Sequence, residues 1–277
     1  MHVANLTKQD IMDMSMNVSR LCKWLAAGTL VLIAIGPFSR TAYAADSAPF
    51  NWSGVYVGLH MGYGWGAADT NLNPQPTAEI FIVLAPQTQR ADTRGALGGA
   101  QIGYNWQKGI LVIGGETDFS FSDMKGTTTV GPITQNDGTP FPGAGNNITV
   151  KQDTDWVGTV RLRVGVTPAP KVLLYGTGGL AYGRVNYSAN TDFRPVGTEQ
   201  YPASVTRTKV GWTAGAGAEF AINRNWSVKT EYMYYDLGSE SVTANPSIPF
   251  VPPEAFQIGY KWETAAHTGR IGLNFRF

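Results

Sequence analysis

The sequence predicts an all-β protein: an eight-stranded antiparallel up-and-down transmembrane β-barrel with four long extracellular loops. Three observations lead there. First, the closing residues His267 to Phe277 alternate. Gly269, Ile271, Leu273, Phe275 and Phe277 fall on one face, and Thr268, Arg270, Gly272, Asn274 and Arg276 on the other. Second, 33 glycines and 12 Phe, 8 Trp and 12 Tyr stand beside only 15% charged residues, a composition that favours strands over helices. Third, the alternating runs are joined by connections that are long and short in turn, as in an outer-membrane barrel with short periplasmic turns and longer outer loops.

The chain opens with Arg20 and Lys23, an apolar run from Trp24 to Ile35, and Ala42-Tyr43-Ala44 as a small-x-small cleavage site. This predicts residues 1–44 to be an upstream segment and cleaved signal peptide, with residues before Met14 or Met16 preceding the true start. Residues 45–277 are then the outer-membrane β-barrel domain. The run is short for a spanning helix, which needs about 20 apolar residues. The single cysteine, Cys22, lies in the leader, so the domain is expected to hold no disulfide or thiolate metal site. A net charge of +1 points to no nucleic-acid partner.

The first run sets Val55, Val57, Leu59, Met61, Tyr63 and Trp65 outward, with Tyr56 and His60 opposite. After a polar stretch, Ala67 to Arg94, the second places Gly98, Ala100, Ile102, Tyr104 and Trp106 outward and Gln101 and Asn105 inward. The third, beyond a Gln107-Lys108-Gly109 turn, places Leu111, Ile113, Thr117, Phe119 and Phe121 outward, with Glu116 and Asp118 inward. A second loop, Ser122 to Thr154, leads to the fourth run, with Trp156, Val160, Leu162, Val164 and Val166 outward against Asp155, Thr159, Arg161 and Arg163.

A turn at Thr167 to Lys171 opens the fifth run, Val172 to Val185, in which Leu174, Leu180 and Tyr182 are expected outward. Asn186 to Thr208 is the third loop. The sixth run sets Val210, Trp212, Ala214, Ala216, Ala218, Phe220 and Ile222 against Thr213 and Glu219. The seventh, after Asn223 to Asn225, sets Trp226, Val228, Thr230, Tyr232 and Tyr234 against Lys229, Glu231 and Met233. The last loop is Asp236 to Ala266, where Phe256, Ile258, Tyr260 and Trp262 alternate as an extension of the final hairpin or an internal plug.

Hydrocarbon cannot satisfy free backbone groups, so strands cross it only as a closed barrel. In a soluble sandwich the same alternation would turn apolar residues in and charges out. Two features favour the membrane. Trp65, Trp106, Phe121, Trp156, Trp212, Trp226, Tyr234 and Phe277 sit at run ends, where aromatic girdles belong. The inward charges also balance: Glu116, Asp118, Glu219 and Glu231 against Arg161, Arg163, Lys229 and Arg270. Aligning the short turn is expected to pair Glu219 with Lys229, as neighbouring strands pair Glu116 and Asp118 with Arg161 and Arg163, and Glu231 with Arg270. An eight-stranded interior is filled by side chains, so these groups are expected to form a bonded polar core rather than line a channel.

At Asn51-Trp52-Ser53-Gly54-Val55-Tyr56-Val57-Gly58, Gly178-Gly179-Leu180-Ala181-Tyr182-Gly183 and Gly269 to Phe277 the chain resembles the small outer-membrane barrel proteins of alphaproteobacteria. These form a surface-antigen, porin-like family related in fold to opacity proteins and the OmpA membrane domain. The resemblance implies eight strands and recognition of the last strand by the barrel-assembly machinery, with Arg270, Gly272, Phe275 and Phe277 matching its signal. The loops match nothing transferable, and no peptidoglycan-binding domain is expected after Phe277.

The function expected is therefore that of a non-enzymatic outer-membrane protein of a Gram-negative bacterium, contributing envelope integrity and presenting surface loops. Its partners would be outer-membrane lipid and lipopolysaccharide, and it would take no cofactor or metal. The alternative is a narrow porin or a surface binder of a ligand such as haem, for which the domain offers only His60 and His267. An enzyme would need a nucleophile beside a histidine and a carboxylate. His267 with Thr268 supplies no such motif, and Gly95 to Gly103 lies in a strand and opens no phosphate-binding helix.

Overall fold

The computed structural model describes residues 50–74, 87–133, 135, 138–140, 145–194, 199–247 and 257–277. The leader and its cleavage site, and Phe256, lie outside them. Eight strands follow in chain order: β1 (Gly54–Pro74), β2 (Gln87–Lys108), β3 (Leu111–Val130), β4 (Asn147–Ala169), β5 (Val172–Asp192), β6 (Gln200–Ala221), β7 (Trp226–Ala244) and β8 (Ile258–Arg276). Each pairs antiparallel with the next, and β8 closes on β1. The closing seam sets Leu273 beside Leu59 and Ile271 beside Met61.

Strands of 19 to 23 residues are about twice as long as the 9–11 residues a bilayer requires. The alternation explains the excess, because its sign reverses partway up the wall. In the lower half Leu59, Met61, Leu162, Val164 and Ile271 are exposed outside, while Arg161, Arg163 and Arg270 are buried inside. Higher up, on the same strands, the buried inward positions are apolar: Ala68 and Leu72 on β1, Tyr187 and Ala189 on β5, Ile258, Tyr260 and Trp262 on β8. Outward positions at that height include Arg90, Asp92, Lys125 and Asp123, paired to one another in the open. The lower wall is built for lipid outside, and the upper wall is an ordinary water-soluble barrel with an apolar core.

This corrects the expected loop limits. Much of Ala67 to Arg94, Ser122 to Thr154, Asn186 to Thr208 and Asp236 to Ala266 is barrel wall, carried on past the membrane. Ile258, Tyr260 and Trp262 belong to β8 and fill the upper core from the wall. Asp155, expected inside, lies outside with Arg184 at 3.4 Å, because a bulge between Thr154 and Trp156 shifts the phase of β4. Leu174 and Leu180 face outward as expected, and Tyr182 lies across Gly158.

The girdle residues all stand on the outer surface. Trp65, Phe121, Trp156, Trp212 and Tyr234 mark the upper limit of the apolar band, and Trp106, Trp226 and Phe277 the lower. Trp212 touches Tyr234 (5.2 Å between ring centroids), Phe119 bridges Phe121 and Trp156, and Trp226 meets Phe275 at 5.1 Å. On β6 the band runs from Trp212 to Ile222, about 33 Å along the strand at ~3.3 Å per residue. A tilt of roughly 40° reduces this to about 25 Å, the height of the apolar belt of an outer-membrane barrel.

Candidate functional site

The interior is stacked in three tiers. At the end carrying the short turns, Trp52 is fully buried and packs with Val112, Leu173, Tyr175 and Ala221. Its backbone N–H donates to Gln107 Oε1 (2.7 Å), and the Gln107 N–H donates to Ser53 Oγ (2.9 Å). Arg276 lies over the rings of Phe50 and Trp52 at 5.2 and 4.9 Å. The stretch before β1 thus folds into the mouth and fills it.

The middle tier holds the charges. Arg161 sits at its centre, with its guanidinium 2.5 Å from Glu116, 2.8 Å from Asp118 and 3.0 Å from Glu231. Arg163 donates to Glu219 (2.8 Å) and Glu116 (3.2 Å) and stacks on the Tyr175 ring at 3.9 Å. Arg270 spans Asp118 (3.2 Å) and Glu231 (2.5 Å). Lys229 reaches Glu116 at 2.9 Å. The eight residues singled out from the sequence are therefore brought into one continuous cluster.

Register and side-chain partner part company at one place. Glu219 lies opposite Lys229 on the β6–β7 ladder, as the turn alignment requires. Its carboxylate instead accepts from Arg163, Ser227 Oγ (2.6 Å) and Asn274 Nδ2 (2.9 Å). Lys229 crosses the barrel to β3. The long, flexible lysine stem spans to Glu116, and Glu219 is already satisfied by Arg163, Ser227 and Asn274.

Several members were not singled out from the sequence. Tyr56 donates to Glu116 (2.7 Å), Tyr175 donates to Glu231 (3.0 Å), and Thr159 donates to Asp118 (2.6 Å). The available signal was phase: Tyr56 and Thr159 lie on the polar face of their runs. A second signal was the glycines facing them. A Cβ at Gly103 would collide with the Tyr56 hydroxyl, and one at Gly217 with that of Tyr175. These glycines leave room for two rings to cross the barrel.

Above the charges, Met124, Val157, Tyr235 and Leu237 begin the apolar upper tier, which continues to Phe193 and Tyr201. Between the two tiers a void of about 10 Å³ remains, lined by Asp118, Ser120, Met233, Tyr235, Thr268 and Arg270. That is at most room for one water.

The histidines lie apart. His60 is buried, with Nε2 at 2.7 Å from Ser120 Oγ. His267 is on the outer surface, where Nδ1 meets the Tyr232 hydroxyl at 2.6 Å and the ring faces Trp65. Thr268, next in sequence, is buried on the opposite face. Among the described residues no group of three His, Cys, Asp or Glu side chains is placed to hold a metal ion.

The residues of the expected assembly signal occupy distinct settings. Arg270 is in the charge cluster, and Gly272 packs against the Lys229 stem. Phe275 lies outward between Trp226 and Phe277, and Phe277 is 74% exposed.

Comparison with known proteins gives a consistent picture. A family model described as an outer membrane protein beta-barrel domain matches residues 30–276. The 31 kDa outer-membrane immunogenic protein of Brucella melitensis is 33% identical over 87% of this chain and 89% of its own length. The 22 kDa outer membrane protein of Rhizobium leguminosarum bv. viciae is 30% identical over 83% of each chain. Among solved structures, the outer membrane protein OprG of Pseudomonas aeruginosa is 12% identical, covers 82% of this chain and 97% of its own, and has a TM-score of 0.44.

Proposed function

This chain belongs to the outer membrane protein beta-barrel domain family and lies in the outer membrane of a Gram-negative bacterium, and we propose that it works there as a closed, non-enzymatic barrel. In this reading it contributes to envelope integrity and holds its outer turns at the cell surface. The observation that carries it is the three-tier filling. A packed aromatic plug below, bonded charges in the middle and an apolar core above occupy the interior among the described residues, which supports a closed barrel.

The filling also bears on chemistry. His267 and Thr268 point to opposite faces, so they cannot act on one substrate, and His60 is walled in beside Ser120. We further propose that the apolar band contacts outer-membrane lipid, with lipopolysaccharide in the outer leaflet, and that the β8 residues Arg270, Gly272, Phe275 and Phe277 address the chain to the barrel-assembly machinery.

The test is single-channel recording of the folded protein in planar bilayers. A closed barrel passes no reproducible unitary current. Steady, reproducible steps would favour the narrow-porin alternative and overturn this reading. Increased permeability to detergents and bulky antibiotics in a strain lacking the gene, reversed by the wild-type copy, would support the envelope role.

A further inference from the structure

Among the described residues two ladders stop partway up the wall, β2–β3 at Arg94↔Lys125 and β6–β7 at Trp212↔Asp236. At the first, Thr128 Oγ1 still donates across to the Arg90 carbonyl (2.7 Å). The β6–β7 ladder runs from Ala221↔Ser227 to Trp212↔Asp236, at the upper aromatic girdle, and stops there. Above it β6 continues to Gln200 paired only with β5, and β7, after a bulge between Asp236 and Ser239, continues to Ala244 paired only with β8. The two edges meet again at the top, where the Ser247 N–H donates to the Gln200 carbonyl (2.8 Å). Between these points lies a slot flanked by two strand edges.

The direction of the free groups follows from parity. In an antiparallel ladder a residue's N–H and C=O point to the same neighbour, and alternate residues serve opposite sides. Gln200 turns both groups toward Ser247, and the β5–β6 register is unbroken from there down. Ser204, Thr206, Thr208 and Val210 therefore present their backbone groups to the slot. So does Pro202, whose missing N–H is tolerated only on such an edge.

The slot carries charge as well. Arg207 and Lys209, on the inward face of β6, both reach the single carboxylate of Glu240. Lys209 Nζ lies 2.8 Å from it and Arg207 Nε 3.2 Å, and Lys209 also donates to the Ser239 carbonyl (2.6 Å). Two cations share one anion, and the Arg207 side chain is 56% exposed.

We infer that this slot is a docking site for an extended, acidic peptide segment of an extracellular partner protein. The segment adds a strand between β6 and β7 and places a carboxylate against Arg207 and Lys209. A lipid or detergent anion could satisfy the charge, but only a polypeptide backbone supplies alternating donors and acceptors at strand spacing to both edges. An unpaired pair of edges guarded by inward-pointing charges is also how a protein keeps unwanted strands out, so the acidic side chain sets the specificity.

The test uses the intact barrel in lipid nanodiscs and a fluorescent eight-residue Val/Thr peptide with one central glutamate. Three controls accompany it: the same peptide with lysine for glutamate, one N-methylated at alternate residues, and dodecyl phosphate. The expected result is saturable binding of the glutamate peptide, at least ten-fold weaker for both altered peptides, and at least ten-fold slower hydrogen exchange at the Ser204, Thr206 and Thr208 amides when it is bound. Arg207→Glu with Lys209→Glu should abolish binding in a barrel that still shows its folded, heat-modifiable band. Absence of saturable binding overturns the proposal. So do equal binding of the N-methylated peptide, displacement by dodecyl phosphate without amide protection, and amides that are already as slow in the free barrel as those of Val205 and Arg207.

Discussion

Lys229 and Glu219 face each other on neighbouring strands, yet the lysine's partner is Glu116 on the far side of the barrel, 2.9 Å away. A double-mutant cycle separates the two arrangements. Coupling between Lys229 and Glu116 should exceed about 1 kcal/mol, and that between Lys229 and Glu219 should stay within roughly 0.5 kcal/mol, as for groups without a shared contact. Lys229→Met alone should cost less than the ~3–5 kcal/mol typical of a broken buried pair, because Glu116 keeps Arg161 and Arg163. Urea unfolding in micelles reads these values, and the larger coupling at Glu219 would refute the cross-barrel pairing.

The reversal of the alternation can be tested with one residue type at three places. Leu162→Arg, on the lipid face and 70% exposed, should cost about 2–4 kcal/mol, as for a cation at the bilayer midplane. Asn73→Arg, outward and above the girdle, should fall within about 0.5 kcal/mol of wild type. Ala189→Arg, buried in the upper core, should cost more than about 3 kcal/mol by burying an unpaired charge. Folding titrations in lipid vesicles provide the measurement, and a penalty at Asn73 comparable to that at Leu162 would place the membrane boundary elsewhere.

Glycines divide into those that make room and those that do not. Gly103→Ala would drive a methyl into the Tyr56 ring and the Gly115 carbonyl, and overpacking of this kind costs about 1–3 kcal/mol. Gly178→Ala meets nothing nearer than the Thr213 carbonyl at 3.5 Å and should be tolerated. Equal thermal midpoints for the two variants would show that the Tyr56 ring does not depend on Gly103.

The slot between β6 and β7 should respond to acid. Glu240 lies above the girdle, and its hydrogen bond from Lys209, then that from Arg207, holds its carboxyl below the usual carboxylate range. A depressed folded-state pKa stabilises above the unfolded value, about 4.3, and that stabilisation fades as pH falls through the folded value. Hydrogen exchange at Ser204 and Thr208 should therefore be unchanged from pH 7 to about 5, after correction for intrinsic rates, and rise below about pH 4. Glu240→Gln should show the acid behaviour already at pH 7. A flat corrected profile in wild type would mean that the latch contributes nothing.

The lower barrel was legible because lipid enforces a strict code. Apolar residues such as Leu59, Val164 and Leu273 must face out, and glutamates and arginines that would be costly there must face in. Eight strands, their register across the short turns and the membership of the charge cluster follow from that. The upper wall was read as loop because its code is the opposite one and is diluted by Thr, Ser and Asn on the outer face. The Tyr187, Ala189 and Ile258, Tyr260, Trp262 alternations carried the information, shifted by one residue relative to the lipid-facing set. Partner choice inside the barrel was not legible, since register places Cα atoms and leaves the reach of Lys229 and Glu219 undetermined. The bulge that turns Asp155 outward had no local signature such as a glycine.

A wall whose coat changes from hydrocarbon-like to water-like within one turn of alternation is also a depth gauge. Sliding the barrel down by two residues would draw Arg94, Lys125 and Arg184 toward the lipid, and sliding it up would lift Leu180 and Val160 into water. Either displacement is resisted along the circumference at once, so the molecule fixes its own elevation. The roughly ten residues of strand above the girdle then raise the rim about 25 Å, at ~3.3 Å per residue and a 40° tilt, clear of the lipid surface. The outer turns therefore meet the surroundings at a constant stand-off, set by the wall itself and independent of what those turns contain.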